Sequence, residues 1–117
     1  MLISSIKEIC FMELVKKLAD HAGAKAEKFF KATLFRGDAL LLGVNCLEPG
    51  QVQKAHTHGD QDKFYYVVGG NGRFTLGNDL VDAAEGEVVW APTGLLHGVE
   101  NNGDSRLTLL VGIAPAP

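Results

Sequence analysis

The chain has 117 residues, enough for one hydrophobic core and too few for two ordinary domains. Its hydrophobic content of 46% is ordinary for a globular protein, no apolar run approaches the roughly 18 residues that a bilayer span needs, and the net charge of −3 is spread without a basic stripe that would meet phosphates. Neither a membrane nor a nucleic acid is an expected partner.

Met1 to Cys10 carries one lysine and no small-residue cleavage pattern, so it does not read as a secretory signal and the cytoplasm is the expected compartment. Cys10 and Cys46 form no CxxC pair and read as free thiols. Glycine, at 14 residues against 4 prolines, points to tight turns between short strands, hence to an all-β architecture.

The N-terminal stretch supports two readings. Ser5-Ile6-Lys7-Glu8 resembles a capping box, and Ile6, Ile9, Cys10, Leu14 and Leu18 fall near helical spacing before Gly23, which predicts a short helix. The other reading makes Met12 the natural start and Glu13 to Leu18 an opening strand, with the preceding residues an extension. Residues 1–25 are accordingly expected to form an N-terminal element and residues 26–117 the β domain.

From Lys28 onward the pattern is that of strands: Phe29 to Phe35, a turn at Arg36-Gly37-Asp38, then Ala39 to Leu47, ended by Glu48-Pro49-Gly50. Further strands are expected over 53–58, 63–68, 72–76, 80–83, 87–91, 94–101 and 106–113. Glycine- and asparagine-containing breaks separate them. Short strands at this spacing predict a sandwich or a closed barrel.

Three of the four histidines are placed as a metal site would need. His56 and His58 are two residues apart, and side chains alternate along a strand, so both imidazoles project from one face. His97 on a neighbouring strand would complete a three-nitrogen set suited to iron, manganese, nickel or zinc. An isolated His-x-His is as readily an edge pair in ordinary hydrogen bonding, so the surrounding spacing matters.

That spacing runs Gly50, five residues, His56-Thr57-His58, four residues, Lys63, six residues, Gly70; then, after fifteen residues, Gly86, five residues, Pro92-Thr93-Gly94, two residues, His97, three residues, Asn101. The pair of motifs resembles the two-motif signature of the cupin superfamily and covers about half the chain. The resemblance implies a double-stranded β-helix (jelly-roll) barrel, often dimeric, with a divalent transition metal at its mouth held by two histidines and a glutamate of the first motif and a histidine of the second. Carried over by position, the histidine ligands are His56, His58 and His97.

The departure is Lys63, which stands where the family has its glutamate. A protonated lysine has no lone pair to donate. Its charge about 4 Å from a divalent ion would also cost about 8 kcal/mol at an effective dielectric near 20. Three arrangements stay open: a metal held by the histidines alone, with Lys63 reaching outward or deprotonated; a turn shift that brings in Asp62; or a site without metal in which Lys63 and the histidines bind a carboxylate or other anion.

Tyr65 shares strand parity with Lys63 and is expected to face the interior, a candidate for proton donation beside Lys63, while Phe64 and Tyr66 face the other side. Trp90 reads as core or pocket wall. Cys46 belongs to the apolar face of Leu42 and Val44, Asn101 to a turn, and His21 to the surface or a helix end. The expected function is a metal-dependent dioxygenase or other oxidoreductase acting on a small organic molecule. The competing expectations are a non-catalytic ligand-binding module, which Lys63 favours, and a metal-dependent isomerase or lyase. A homodimer is expected to cover apolar strand faces such as those of Phe29, Phe64 and Tyr66.

Overall fold

The computed structural model describes residues 13–117. The expected capping box at Ser5, and Cys10 with it, lie outside those residues. Glu13 to Lys17 form no strand, which overturns the reading of 13–18 as an opening strand; instead a single 3-10 turn runs Leu18–His21 and ends on His21. The reason lies in what the segment covers. Leu18 and Ala22 lie on the apolar outer cluster of Leu34, Val44 and Cys46, while Lys16 donates from Nζ to the Leu34 carbonyl at 2.8 Å. It lies across a sheet face rather than along a sheet edge.

Nine strands follow among the described residues: β1 (Phe30–Arg36), β2 (Leu41–Leu47), β3 (Val52–His56), β4 (Asp62–Gly69), β5 (Asn71–Leu76), β6 (Asp79–Ala84), β7 (Val88–Ala91), β8 (His97–Glu100) and β9 (Leu107–Ala114). All paired strands are antiparallel, in two sheets ordered β1-β2-β9-β4-β7 and β3-β8-β5-β6. The two sheets close on a core of Leu47, Tyr65, Val67, Phe74, Val89, Val99, Leu107, Leu109 and Val111. Period-two alternation explains this set. In β4 and β9 the odd positions point inward, so Lys63, Tyr65 and Val67 face the same interior as Leu107, Leu109 and Val111.

The motif glycines mark the corners: Gly50, Gly70, Gly86 and Gly94 have φ of 87°, 86°, 89° and 83°. At Gly70 a Cβ would also lie 2.5 Å from the Arg106 carbonyl oxygen, so no other residue fits. Asn101, the last motif position, is fully buried. Its Nδ2 donates to the carbonyls of Leu47 (2.7 Å) and Ser105 (2.9 Å), and its Oδ1 accepts from Gly103 N–H (3.0 Å). Its main chain pairs with Gly50 and Gln51. Side chain and main chain together thereby join the end of β2, the turn into β3 and the turn between β8 and β9.

Trp90 is not a core or pocket wall: it is 54% exposed, because β7 alternates Val89 and Ala91 inward and Val88 and Trp90 outward. Phe64 faces outward as expected but is half-buried, its ring lying over Gly112 of β9 so closely that a Cβ there would clash with it.

In β8, Gly98 faces the backbone of β3, where an added Cβ would stand 2.8 Å from Ala55 N and Cα and from the Gln53 carbonyl oxygen. Backbone cannot yield as a flexible side chain can. Gly98→Ala is expected to lower stability by about 1–3 kcal/mol through overpacking, read as a lower urea midpoint. An unchanged midpoint would show that β3 and β8 are not held this tightly.

Candidate metal centre

Antiparallel pairing of β3 with β8 sets His56 directly opposite His97. His58 is not on the strand as expected: β3 ends at His56, and His58 lies in the following loop, where its carbonyl accepts from Gly94 N–H at 2.9 Å. The loop nevertheless returns its ring to the other two. Ring centroids are separated by 4.6 Å (His56–His58), 4.6 Å (His56–His97) and 5.5 Å (His58–His97), and one nitrogen from each ring lies within 4.8 Å of the others.

The far side of two rings is fixed by backbone. His56 Nδ1 is 2.9 Å from the Lys54 carbonyl oxygen and His97 Nδ1 is 2.9 Å from that of Leu95. Each Nδ1 therefore carries the proton, which leaves each Nε2 with its lone pair, the orientation that backbone carbonyls impose on metal-binding imidazoles. His56 Nε2 and His58 Nε2 are 3.0 Å apart, close to the roughly 3 Å between two adjacent ligands of one ion at bond lengths near 2.1 Å. His97 Nε2 is buried without a hydrogen-bond partner. Such an orphan costs about 1–3 kcal/mol, and a metal ion would satisfy it. The donor set thus fits a transition metal.

Burial, with the neighbouring His56 ring and Lys63 charge, pushes the His58 pKa down. Burial likewise lowers that of His97, helped by Lys63 and the other two histidines and opposed by the Leu95 carbonyl. Both effects favour the neutral imidazole.

Asp62 does not reach the cluster. Its Oδ1 accepts from Thr93 N–H (2.9 Å) and Oγ1–H (3.1 Å), so the arrangement in which Asp62 replaces the glutamate is overturned. Strand alternation is the cause, since Asp62 points away from the face that carries Lys63.

Lys63 does not reach outward to solvent: it is 4% exposed, with Nζ 4.8 Å from the centroid of the Tyr65 ring. Burial and the charge of Lys31 pull its amine down to about 8. Tyr65 is fully buried against Phe74, and its hydroxyl donates to Gln53 Oε1 at 2.9 Å. Burial raises its pKa well above the ordinary value, so it remains a donor rather than a base.

Two polar residues near the site escaped sequence reasoning. Gln53 is the hydrogen-bond partner of Tyr65, and Asn45 is a buried polar side chain of the otherwise apolar β2, sharing parity with Leu41 and Leu47. The signal for Asn45 was present, because a polar residue inside an apolar run is informative.

Two antiparallel sheets closed face to face, with glycine corners and three converging imidazoles at one end of the interior, define a double-stranded β-helix barrel carrying a candidate metal centre. The family model described as Cupin domain matches residues 43–113, and the chain belongs to the cupin family. It is similar to the TT1209 protein of Thermus thermophilus (37% identity, TM-score 0.85, covering 88% of this chain and 98% of that one). A conserved Klebsiella pneumoniae protein with a double-stranded β-helix domain shares the fold at 18% identity (TM-score 0.85, 89% and 91% covered). A predicted oxalate decarboxylase from Thermotoga maritima is 28% identical (TM-score 0.69, 73% and 78% covered).

Lys63 gives a stability prediction with a definite sign. Its amine titrates near 8 in the folded chain against 10.5 as its ordinary value. The unfolded state therefore binds more protons between those pH values, and stability rises with pH across the window. The penalty is present in full below pH 8. Lys63→Met is expected to be more stable by about 2–3 kcal/mol at pH 7, with the advantage shrinking toward pH 10.5, as measured by urea denaturation at both ends. A constant difference would mean that the buried amine is not the cause.

Proposed function

We propose that the chain is a cytoplasmic metal-dependent oxidoreductase of the dioxygenase kind, acting on a small organic molecule, with His56, His58 and His97 as metal ligands. The observation that carries this reading is the buried Nε2 of His97, unpartnered and facing two further imidazoles, two of the three rings being locked by backbone carbonyls. Three neutral ligands leave a divalent ion its full charge and open coordination positions. A ferrous ion bound there would supply redox chemistry toward dioxygen and substrate.

The chain's own residues do the rest. The Lys54 and Leu95 carbonyls orient the imidazoles, and the apolar walls of Val99 and Phe74 keep water from the interior. Tyr65 acts through Gln53: its donated hydrogen bond fixes the amide, so Tyr65 is a positioning residue, while Lys63 supplies positive charge toward an anionic group of the substrate. A second reading, a binding module without turnover, is favoured by Lys63 itself, a buried cation at the position of the glutamate in the cupin signature. The likeness to a predicted oxalate decarboxylase supports a lyase as the third.

Elemental analysis of untagged protein is expected to give about one equivalent of transition metal, lost in the His56→Ala, His58→Ala, His97→Ala variant. Oxygen uptake by iron-loaded protein with a panel of small organic acids and phenols then separates the readings. Substrate loss without oxygen uptake would indicate a lyase or isomerase, and a rise in melting temperature without turnover would indicate a binding module. No metal after loading with iron, manganese, nickel and zinc would overturn the proposal.

The proposal includes a homodimer. Phe64 pairs with Trp90 and Tyr66 with Val88 on the outward face of β4 and the edge strand β7, and Val88 is 64% exposed. A second copy packed on this face would cover the row. Light scattering at micromolar concentration is expected to give twice the chain mass, reduced to one by Trp90→Glu; a monomeric unmodified chain would contradict it.

A further inference from the structure

A cavity of about 360 Å³ opens on the inner face of β1, β2, β9 and β4. That is at the lower end of the range for small-molecule sites. Its walls carry three cations, Lys31, Arg36 and Lys63, and no acidic side chain. Register places two of its polar groups side by side, since Lys31 of β1 stands opposite Asn45 of β2. Gln53 enters from β3, and Leu41, Val111 and Ile113 provide an apolar wall.

Lys63 and Asn45 are both more than nine-tenths buried and both line the cavity. Among the described residues no acidic side chain pairs with Lys63. A buried cation without a counter-charge is costly, and here a second ammonium faces the same space. Arg36 donates to the main-chain oxygen of Pro117, so it contributes charge while its guanidinium is partly engaged. The cavity adjoins the histidines through two shared residues. Lys63 lies over the Tyr65 ring, which stands 6.4 Å from that of His97, and Gln53 shares β3 with His56.

We propose that this cavity binds a small organic acid, its carboxylate between Lys63, Lys31 and the Asn45 amide and its short apolar body against Leu41, Val111 and Ile113. The inference rests on the reading of the triad as a metal centre only for what happens to the acid afterwards. Binding itself needs no metal. The buried Lys63 ammonium, with the exposed Lys31 ammonium beside it, favours the anion over its uncharged amide analogue, and the apolar wall favours an organic acid over an inorganic oxyanion.

The test is a titration of the isotopically labelled full chain with hexanoate, hexanamide and sulfate at low ionic strength, followed by amide correlation spectra with and without zinc. Hexanoate is expected to move the side-chain amide signals of Asn45 and Gln53 and saturate in the millimolar range, with hexanamide and sulfate at least about tenfold weaker. Lys31→Met and Lys63→Met should each weaken hexanoate by about tenfold or more while the metal content of the protein is unchanged. Equal binding of hexanamide, or of sulfate, would overturn the organic-acid assignment. So would hexanoate binding that requires zinc and vanishes in His97→Ala, which would put the carboxylate on the metal. Hexanoate binding by a protein that takes up no metal would uphold the cavity and overturn the metal centre alone.

Discussion

The site depends on the pairing of β3 with β8. Because the two strands run antiparallel with His56 opposite His97, two ligand candidates from distant parts of the chain arrive at one point with no long side chain needed to reach it. The register is held at several places. Gly98 lets the strands approach, the Gln51 carbonyl accepts from Asn101 N–H, and the loop after β3 is tied back by the His58 carbonyl to Gly94. A slip of one residue would turn one ring toward solvent. The third ring depends on the first two indirectly, through the loop that the Gly94 bond closes.

Around this pair the interior is divided by chemistry. Toward β5 and β9 it is a dry core of Phe74, Leu107 and Leu109; toward β1 and β2 it is polar and cationic. Lys63 lies at the boundary. A glutamate there would bring negative charge toward both the histidines and Lys31. A lysine inverts that electrostatic relation, so the negative charge must come from outside the protein or the amine must give up its proton. The lowered pKa of Lys63 reflects the second route, and the open volume beside it allows the first.

Most of the strand plan was legible in the sequence, since glycine corners and period-two alternation mark strands independently of their partners. The inward set of β4 and the grouping of Cys46 with Leu42 and Val44 followed from parity alone, while parity did not say that the Cys46 face is the outer one. Three features did not follow. His58 reaches the triad from a loop, so its convergence owes nothing to strand alternation. Trp90 is apolar yet outward, because on an edge strand side-chain character does not fix the face. Glu13 to Leu18 has too short a pattern to separate strand from a segment lying over one. Gln53 was invisible as a site residue because its role arises from a cross-strand neighbour, which no local spacing encodes, whereas Asn45 was marked by its polarity inside an apolar run.

Asn101 carries a consequence for how variants of this chain should be interpreted. It stands at a motif position four residues from a candidate metal ligand, yet every bond that its side chain makes is to backbone, at the end of β2 and in the turn between β8 and β9. A change there would act on the amount of intact barrel in a cell rather than on the rate of each surviving molecule. Loss of phenotype at this position therefore reports abundance, and normalising to folded protein would restore it.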